Sequence, residues 1–250
     1  MTQKSLIDAF IEATNCRHTT ASSYLERFKW NLGVAVDEFF NNYKGDSNRI
    51  SHRASVSMDA INNWFDKYAD PEEDDAITED GILQFCEDIG IDPQAVDILV
   101  IAWKMESNYM CRFSRKEWCK GMQELECDTK EKLKSTILEL RTYISTNQEF
   151  KQFYSFCFDF SKEPGQKSLG LAIAIPMWEV LLMDRFPQAA SDWIQFLQES
   201  NPCKGVTRDT WDLLLDFFIK VNNSYETYDE NEAWPVLIDE FVAYIRSREV

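Results

Sequence analysis

Apolar residues recur at intervals of three and four along most of the chain, the spacing typical of helices that bury one face. Three short patterns of this kind fill residues 5–42. A polar stretch without periodicity follows, and the helical spacing resumes at Met58. We therefore predict an all-α protein with an N-terminal three-helix module at 1–45, a linker at 46–57 and a larger helical domain at 58–250.

The last helix is predicted from Pro235, because its fixed φ and missing N–H suit the first turn of a helix. This turn would begin at Ala233 or Trp234. Its buried face is expected to consist of the apolar residues at helical spacing, namely Val236, Leu237, Phe241, Tyr244 and Ile245. In the same way, Pro176 predicts the first turn of a helix that runs to Met183.

The residues that follow the first module carry the formal charge of −17. Residues 1–45 hold five bases and five acids, so the rest of the chain carries the whole excess. The acids are densest between residues 209 and 240. This segment contains one base, Lys220, and nine acids: Asp209, Asp212, Asp216, Glu226, Asp229, Glu230, Glu232, Asp239 and Glu240. This density predicts an acidic docking surface for a basic protein partner, and it argues against nucleic acid or an anionic membrane as ligand.

No signal peptide or membrane-spanning segment is expected. The N-terminus lacks an apolar core, and the longest apolar run, Leu171 to Met183, is interrupted by Pro176 and Glu179. We expect an intracellular protein of the cytoplasm, the nucleus or both.

The sequence predicts no catalytic residues, no metal site and no cofactor. Seven cysteines stand without a Cys-x-x-Cys pair, and the chain has two histidines, so neither a disulfide framework nor a zinc site is expected. No phosphate-binding Gly-rich loop, His-Glu-x-x-His or Gly-x-Ser-x-Gly occurs. Cys86, Cys111 and Cys119 lie in or beside apolar helical patterns, where a buried thiol is the commoner explanation.

Two segments imitate calcium-binding loops. Residues 70–81 place acids at the first, third and fifth positions, but Asp75 replaces the turn glycine and Gly81 replaces the bidentate glutamate. Residues 106–117 keep the terminal glutamate but have Met110 where a ligand belongs. We therefore predict degenerate EF-hand-like units. Short extended pieces would pair across such loops, near residues 76–77, 112–113 and 169–171.

The C-terminal segments resemble a known family. Arg208-Asp-Thr-Trp-Asp-Leu-Leu-Leu-Asp-Phe217 and Tyr228-Asp-Glu-Asn-Glu-Ala-Trp-Pro-Val-Leu-Ile-Asp-Glu-Phe241 are similar to the potentiating-neddylation domain of the defective-in-cullin-neddylation-1-like proteins. In that family an Asp-Ala-Asp patch docks the C-terminal winged-helix domain of cullins. The resemblance implies this role for Asp209, Ala233 and Asp239.

The same resemblance implies a second site, a hydrophobic pocket for the acetylated N-terminal methionine of a modifier-conjugating enzyme. The matching positions are Ile82, Ile98, Ile101, Ala102, Met105, Cys111, Phe113, Phe160 and Val180. By spacing alone these residues would be taken for ordinary core. Acetylation removes the α-amino charge, and the uncharged methionine can then be buried with a gain of about 1.5–3 kcal/mol.

Residues 5–42, which end with Trp30-Asn-Leu-Gly-Val-Ala-Val-Asp-Glu-Phe-Phe40, resemble a ubiquitin-associated domain. Their first loop, 14–18, lacks the Met-Gly-Phe-like sequence of many ubiquitin binders. The resemblance makes ubiquitin a candidate partner through Val36 and Phe40.

Together these features predict a non-catalytic adaptor that promotes cullin neddylation by holding a cullin and an acetylated conjugating enzyme side by side. Two alternatives stay open. One is a ubiquitin-binding adaptor without neddylation activity, and the other is a calcium-binding regulator of the EF-hand type.

Overall fold

The structure is a computed structural model that describes residues 3–14, 18–45, 56–73, 75–222 and 224–248. The contacts divide the chain into two compact units, residues 1–55 and 56–250. Both units consist mainly of α-helices, which confirms the all-α prediction. Within the described ranges, no helix is long and apolar enough to cross a membrane.

The first unit is a three-helix module. Its helices are α1 (Gln3–Thr14), α2 (His18–Arg27) and α3 (Leu32–Gly45). All three contribute to a small buried core, which contains Ile7, Phe10, Ala21, Leu25 and Ala35. The ring of Phe10 packs edge-on against that of Phe39, with centroids 5.8 Å apart. The three apolar patterns of residues 5–42 therefore correspond to three packed helices.

The second unit is a larger helical assembly around one core. Its elements in chain order are α4 (Met58–Asp66), β1 (Ala76–Ile77), α5 (Glu79–Ile89), α6 (Val96–Lys104), β2 (Phe113–Ser114), α7 (Arg115–Glu124), α8 (Lys130–Tyr143), α9 (Asn147–Ser161), β3 (Ser168–Gly170), α10 (Leu171–Leu182), α11 (Pro187–Ser200), β4 (Gly205–Thr207), α12 (Arg208–Val221), a 3₁₀ turn (Tyr225–Thr227) and α13 (Val236–Arg248).

Two pairs of short antiparallel strands join the loops between these helices. Strand β1 pairs with β2, with Ile77 opposite Phe113, and β3 pairs with β4, with Leu169 opposite Val206. A Cβ at Gly205 would lie 2.7 Å from the Leu169 carbonyl oxygen, so this pairing requires glycine. The sequence predicts the first three strands near their positions but not β4, which is formed by pairing with β3, 37 residues earlier in the chain (Leu169 with Val206). The likeness of the paired helix–loop–helix units to EF-hands stays a prediction.

Hydroxyl side chains begin several helices of the second unit. The N-cap residues that accept a backbone hydrogen bond are Ser57, Ser114, Thr129, Thr146 and Thr207. At α7 the cap is reciprocal, because Ser114 Oγ accepts from Glu117 N at 3.3 Å and the Glu117 carboxylate accepts from Ser114 N at 2.8 Å. The sequence Ser114-Arg-Lys-Glu117 predicts this capping box, and the structure confirms it.

Replacing Ser114 by alanine is expected to lower the free energy of unfolding by about 1 kcal/mol, because a helix N–H loses its acceptor. Ser114→Thr keeps the acceptor and should retain most of the stability. Urea unfolding followed by tryptophan fluorescence measures both, since every tryptophan except Trp30 lies in the second unit. Equal losses in the two variants would contradict the role of the hydroxyl.

A stack of aromatic rings joins α9, α10 and α12. Tyr154 lies on Trp211 with centroids 4.7 Å apart, and Trp211 lies on Trp178 at 5.1 Å. Both indole N–H groups donate to Tyr154, from Trp178 to its hydroxyl at 2.8 Å and from Trp211 to its carbonyl at 2.9 Å. All three side chains are fully buried. Because the stack combines ring contacts with satisfied hydrogen bonds, it fixes the helix whose first turn carries Asp209.

The predicted start of the last helix is wrong by two or three residues. Helix α13 begins at Val236, after Pro235. The prediction that Val236 is buried is also wrong, since 70% of its surface is exposed. Phe241 and Ile245 are buried as predicted, Leu237 and Tyr244 are half-buried, and the other two residues that face the core are Ile238 and Val242. At about 100° per residue, these positions cluster on the side of the helix opposite Val236.

The predicted place of Pro176 is wrong as well. Helix α10 begins directly after β3 at Leu171, so Pro176 lies inside the helix instead of in its first turn. Its missing N–H leaves the carbonyl of Ala172 without the usual helical partner. Ala172 and Pro176 are both exposed, so water can hydrogen-bond to this carbonyl.

Candidate functional site

The acids between Asp209 and Glu240 fall into two groups. Four of them are neutralised within the chain, in the ion pairs Asp212–Arg208, Asp216–Lys151, Glu230–Arg246 and Glu232–Lys220. Among the residues that the structure describes, the other five form no ion pair: Asp209, Glu226, Asp229, Asp239 and Glu240. The unpaired charge therefore includes both aspartates predicted to dock a cullin.

Asp239 lies in the exposed first turn of α13. Its carboxylate accepts a hydrogen bond from the hydroxyl of Tyr228. Burial raises the pKa of Tyr228 to about 12, and the hydrogen bond to Asp239 acts in the same direction. The hydroxyl therefore stays protonated at neutral pH and holds one carboxylate oxygen, while the rest of the group faces solvent.

Ala233 lies just before this turn and is exposed. The neighbouring Trp234 is packed edge-on against Phe217 of α12, with ring centroids 5.6 Å apart. The ammonium group of Lys220 lies over the Trp234 ring, 5.7 Å from its centroid. These contacts fasten the segment before α13 to the second half of α12, and the exposed Ala233 lies on this fastened segment.

Asp209 is the second residue of α12 and is exposed. Phe217 follows Asp209 by eight positions, which is about 12 Å along the helix axis. Helices α12 and α13 contact each other, but among the described residues no hydrogen bond or ion pair joins Asp209 to Ala233 or Asp239.

The nine residues of the predicted pocket differ in exposure. Ile98 and Val180 are half-buried and Cys111 is exposed. The other six belong to the buried core: Ile82, Ile101, Ala102, Met105, Phe113 and Phe160. Met105 packs on α7 at Gly121, where a Cβ would lie only 2.4 Å from Met105 Cγ. Six of the nine residues therefore belong to the large core of the second unit, and their grouping around one pocket stays a prediction.

Two cavities are lined by members of this set. One of about 440 Å³ is lined by Phe160 together with Trp103, Lys104 and Ser107, and another of about 540 Å³ is lined by Val180. The Lys104 ammonium lies 4.0 Å from the centroid of Trp103, and burial lowers its pKa. Within the described residues, the buried Ser107 Oγ has no hydrogen-bond partner. Sequence reasoning missed these polar residues because their spacing does not distinguish them from a solvated face.

The groups that would ligate calcium are used in other contacts. The Asp70 carboxylate accepts from Thr78 Oγ1 at 2.7 Å. The Glu117 carboxylate accepts from both the backbone and the side chain of Asn108, as well as capping α7. Gly81 is required for packing, since a Cβ there would lie 2.2 Å from the Tyr68 carbonyl oxygen. In the described ranges, no three His, Cys, Asp or Glu residues are grouped as metal ligands would be.

The predicted ubiquitin contacts of the first unit are only partly described. Val36 is half-buried against the small core of that unit. The side chain of Phe40 lies outside the described residues. Contact of either residue with ubiquitin stays a prediction.

Comparison with known proteins gives the following similarities. A family profile for cullin binding matches residues 132–244, and one for a UBA-like domain matches residues 4–43. DCN1-like protein 4 of Homo sapiens is 38% identical over 215 residues, which cover 86% of this chain and 72% of that protein. DCN1-like protein 5 of Rattus norvegicus is 39% identical over 200 residues, which cover 80% of this chain and 83% of that protein. DCN1-like protein 3 of Drosophila melanogaster is 34% identical over 80% of this chain and 59% of its own length.

Proposed function

Since the chain belongs to the DCN1-like family and carries that family's cullin-binding domain, we propose that it promotes cullin neddylation as a non-catalytic adaptor. One surface docks the C-terminal winged-helix domain of a cullin, and another holds the acetylated N-terminus of the modifier-conjugating enzyme. Holding both partners raises the effective concentration of the modifier thioester next to the acceptor lysine. No covalent intermediate forms on this chain.

The observation that carries the proposal is the group of unpaired acids at the start of α12 and α13. Most neighbouring acids already have a base within the chain, whereas Asp209 and Asp239 remain available to a partner. Carboxylates of this kind form charge-assisted hydrogen bonds with Lys or Arg. Ala233 is exposed just before the turn that carries Asp239, and its small side chain would let the partner backbone approach. A basic protein surface is thus the natural complement, whereas nucleic acid would be repelled.

Three thiols that the sequence makes candidate nucleophiles favour an adaptor over a transfer enzyme. Burial raises the pKa of Cys86 to about 11. Partial desolvation of the thiol also raises the pKa of Cys119, which is half-buried, and of Cys111, which is exposed and not buried as its spacing predicts. At neutral pH these groups are therefore mostly protonated, and a thiol accepts a modifier poorly compared with a thiolate.

The second docking surface is the apolar region around Met105. Because Ile101, Ala102 and Met105 are fully buried, an incoming methionine side chain must displace part of the core. Met105 is the member best suited to move, since it is unbranched and flexible and lies over Gly121 without a side chain beneath it. An acetylated terminus fits such a region because it carries no charge, whereas a free ammonium would be buried without a partner.

The rate of modifier transfer to a cullin C-terminal fragment tests the proposal directly. The reaction contains the activating enzyme, the conjugating enzyme and the modifier, with or without the full-length chain. We expect faster transfer when the chain is present and no modifier thioester on the chain itself. If the rate does not change, the neddylation proposal fails, and titration of the chain with ubiquitin becomes the next experiment.

A further inference from the structure

Val236 is the most exposed large hydrophobic residue in the described part of the chain, with 70% of its surface accessible. Its position is fixed on both sides. Pro235 precedes it and accepts hydrogen bonds through its carbonyl from Ile238 N at 2.8 Å and Asp239 N at 3.3 Å. Ile238 is fully buried. The exposure therefore results from a helix turn that is anchored to the core, and Val236 cannot turn inward without moving that anchor.

Val236 shares its face of α13 with two unpaired acids. Asp239 and Glu240 follow it by three and four residues, so all three side chains lie on one side of the helix. All three are exposed. The exposed Ala233 lies just ahead of the same turn. This surface thus has an apolar residue with charged residues around it, which matches the apolar core and polar rim of protein interfaces.

We propose that Val236 is the central apolar contact of the cullin-docking surface, and that it enters an apolar recess flanked by Lys or Arg side chains. The inference rests on the proposed function and adds a contact to it. The unpaired acids identify the occupant by charge, because they require a basic partner. A second copy of this chain would bring the same −17 charge and would be repelled.

The contact predicts a specific pattern of salt dependence. Attraction between the acids and a basic partner weakens as salt is added, because exposed charges are screened. Burial of an apolar side chain does not weaken in this way. Loss of Val236 should therefore reduce the affinity by a similar factor at low and high salt, whereas loss of the Asp239 charge should reduce the affinity mainly at low salt.

Calorimetric titration of the full-length chain with the winged-helix domain of a cullin, at 50 mM and 300 mM NaCl, tests this pattern. The variant Val236→Thr keeps the shape of the side chain and replaces a methyl group with a hydroxyl. We expect it to bind about tenfold more weakly at both salt concentrations. Asp239→Asn should bind more weakly chiefly at 50 mM. Leu138→Gln is the control, because Leu138 is 65% exposed on α8, and it should bind like the wild type.

Thermal unfolding separates a loss of binding from a loss of fold, and the exposed Val236→Thr should unfold at the wild-type temperature. If Val236→Thr binds like the wild type while Asp239→Asn binds more weakly, the inference fails and the docking proposal stands. If the wild type does not bind the cullin domain, the docking proposal fails and the inference fails with it. A tenfold loss in Leu138→Gln as well would also overturn the assignment, because the effect would then not be confined to α13.

Discussion

Replacing Asp239 by alanine is expected to remove most of the acceleration of cullin neddylation. The carboxylate is exposed and lacks a base within the described part of the chain, so the partner supplies its counter-charge. Removing one partner costs about 2–5 kcal/mol where the interface desolvates the pair, and about 1 kcal/mol or less where the pair stays on the rim. The hydroxyl of Tyr228, which donates to Asp239, would also lose its acceptor.

Transfer rates and cullin affinity are both measured, because the proposal assigns Asp239 to cullin binding alone. Saturating amounts of the cullin fragment should therefore restore much of the rate. Glu230→Ala is the matched control. It removes one negative charge from the same segment, but Glu230 is already paired with Arg246 at 2.5 Å. If Glu230→Ala reduces the rate as strongly as Asp239→Ala, net charge is responsible and a specific docking role for Asp239 is wrong.

The sequence predicts the helices well because their apolar spacing and their caps are local properties. The capping box Ser114-Arg-Lys-Glu117 at the start of α7 is an example. The sequence does not reveal which acids are neutralised. Lys151 and Asp216 lie 65 residues apart along the chain and meet only in the folded structure. The density of acids between Asp209 and Glu240 therefore predicts an acidic surface, but the folded chain decides which carboxylates remain for a partner.

Two wrong predictions concern where a proline lies relative to the start of a helix. Pro235 suits the first turn, yet it precedes α13, and the helix packs with Ile238 toward the core and Val236 toward solvent. Pro176 suits the first turn as well, but β3 leads directly into α10 and places the proline inside it. In both cases tertiary packing overrides the local preference of proline.

The candidate pocket shows a different limit of sequence reasoning. The spacing of apolar residues on α6 is the same whether they pack in the core of the protein or line a ligand pocket. The structure shows that Ile101, Ala102 and Met105 are fully buried, so burial does not separate the two roles. The family resemblance is what favours a pocket there, and binding of a peptide must decide it.

An N-terminally acetylated peptide that begins with methionine is expected to bind at least about tenfold more tightly at pH 6.5 than the same peptide with a free amine. The α-amino group has a pKa of about 7.7–8.0, so at this pH it must be buried as an ammonium or lose its proton first. Losing a proton more than one pH unit below the pKa costs more than about 1.4 kcal/mol, which is tenfold in affinity. The acetylated peptide carries no such cost.

The same reasoning fixes the direction of the pH dependence. Above pH 8.5 most of the free amine is neutral, so its affinity should rise while that of the acetylated peptide stays level, and the difference between them should shrink. Calorimetry at pH 6.5 and 8.5 measures this. Asp239→Ala serves as the control variant, because it lies on the other proposed surface and should bind both peptides like the wild type. Equal affinities of the two peptides at pH 6.5 would show that Ile101, Ala102 and Met105 are ordinary core and that the conjugating enzyme is not held there.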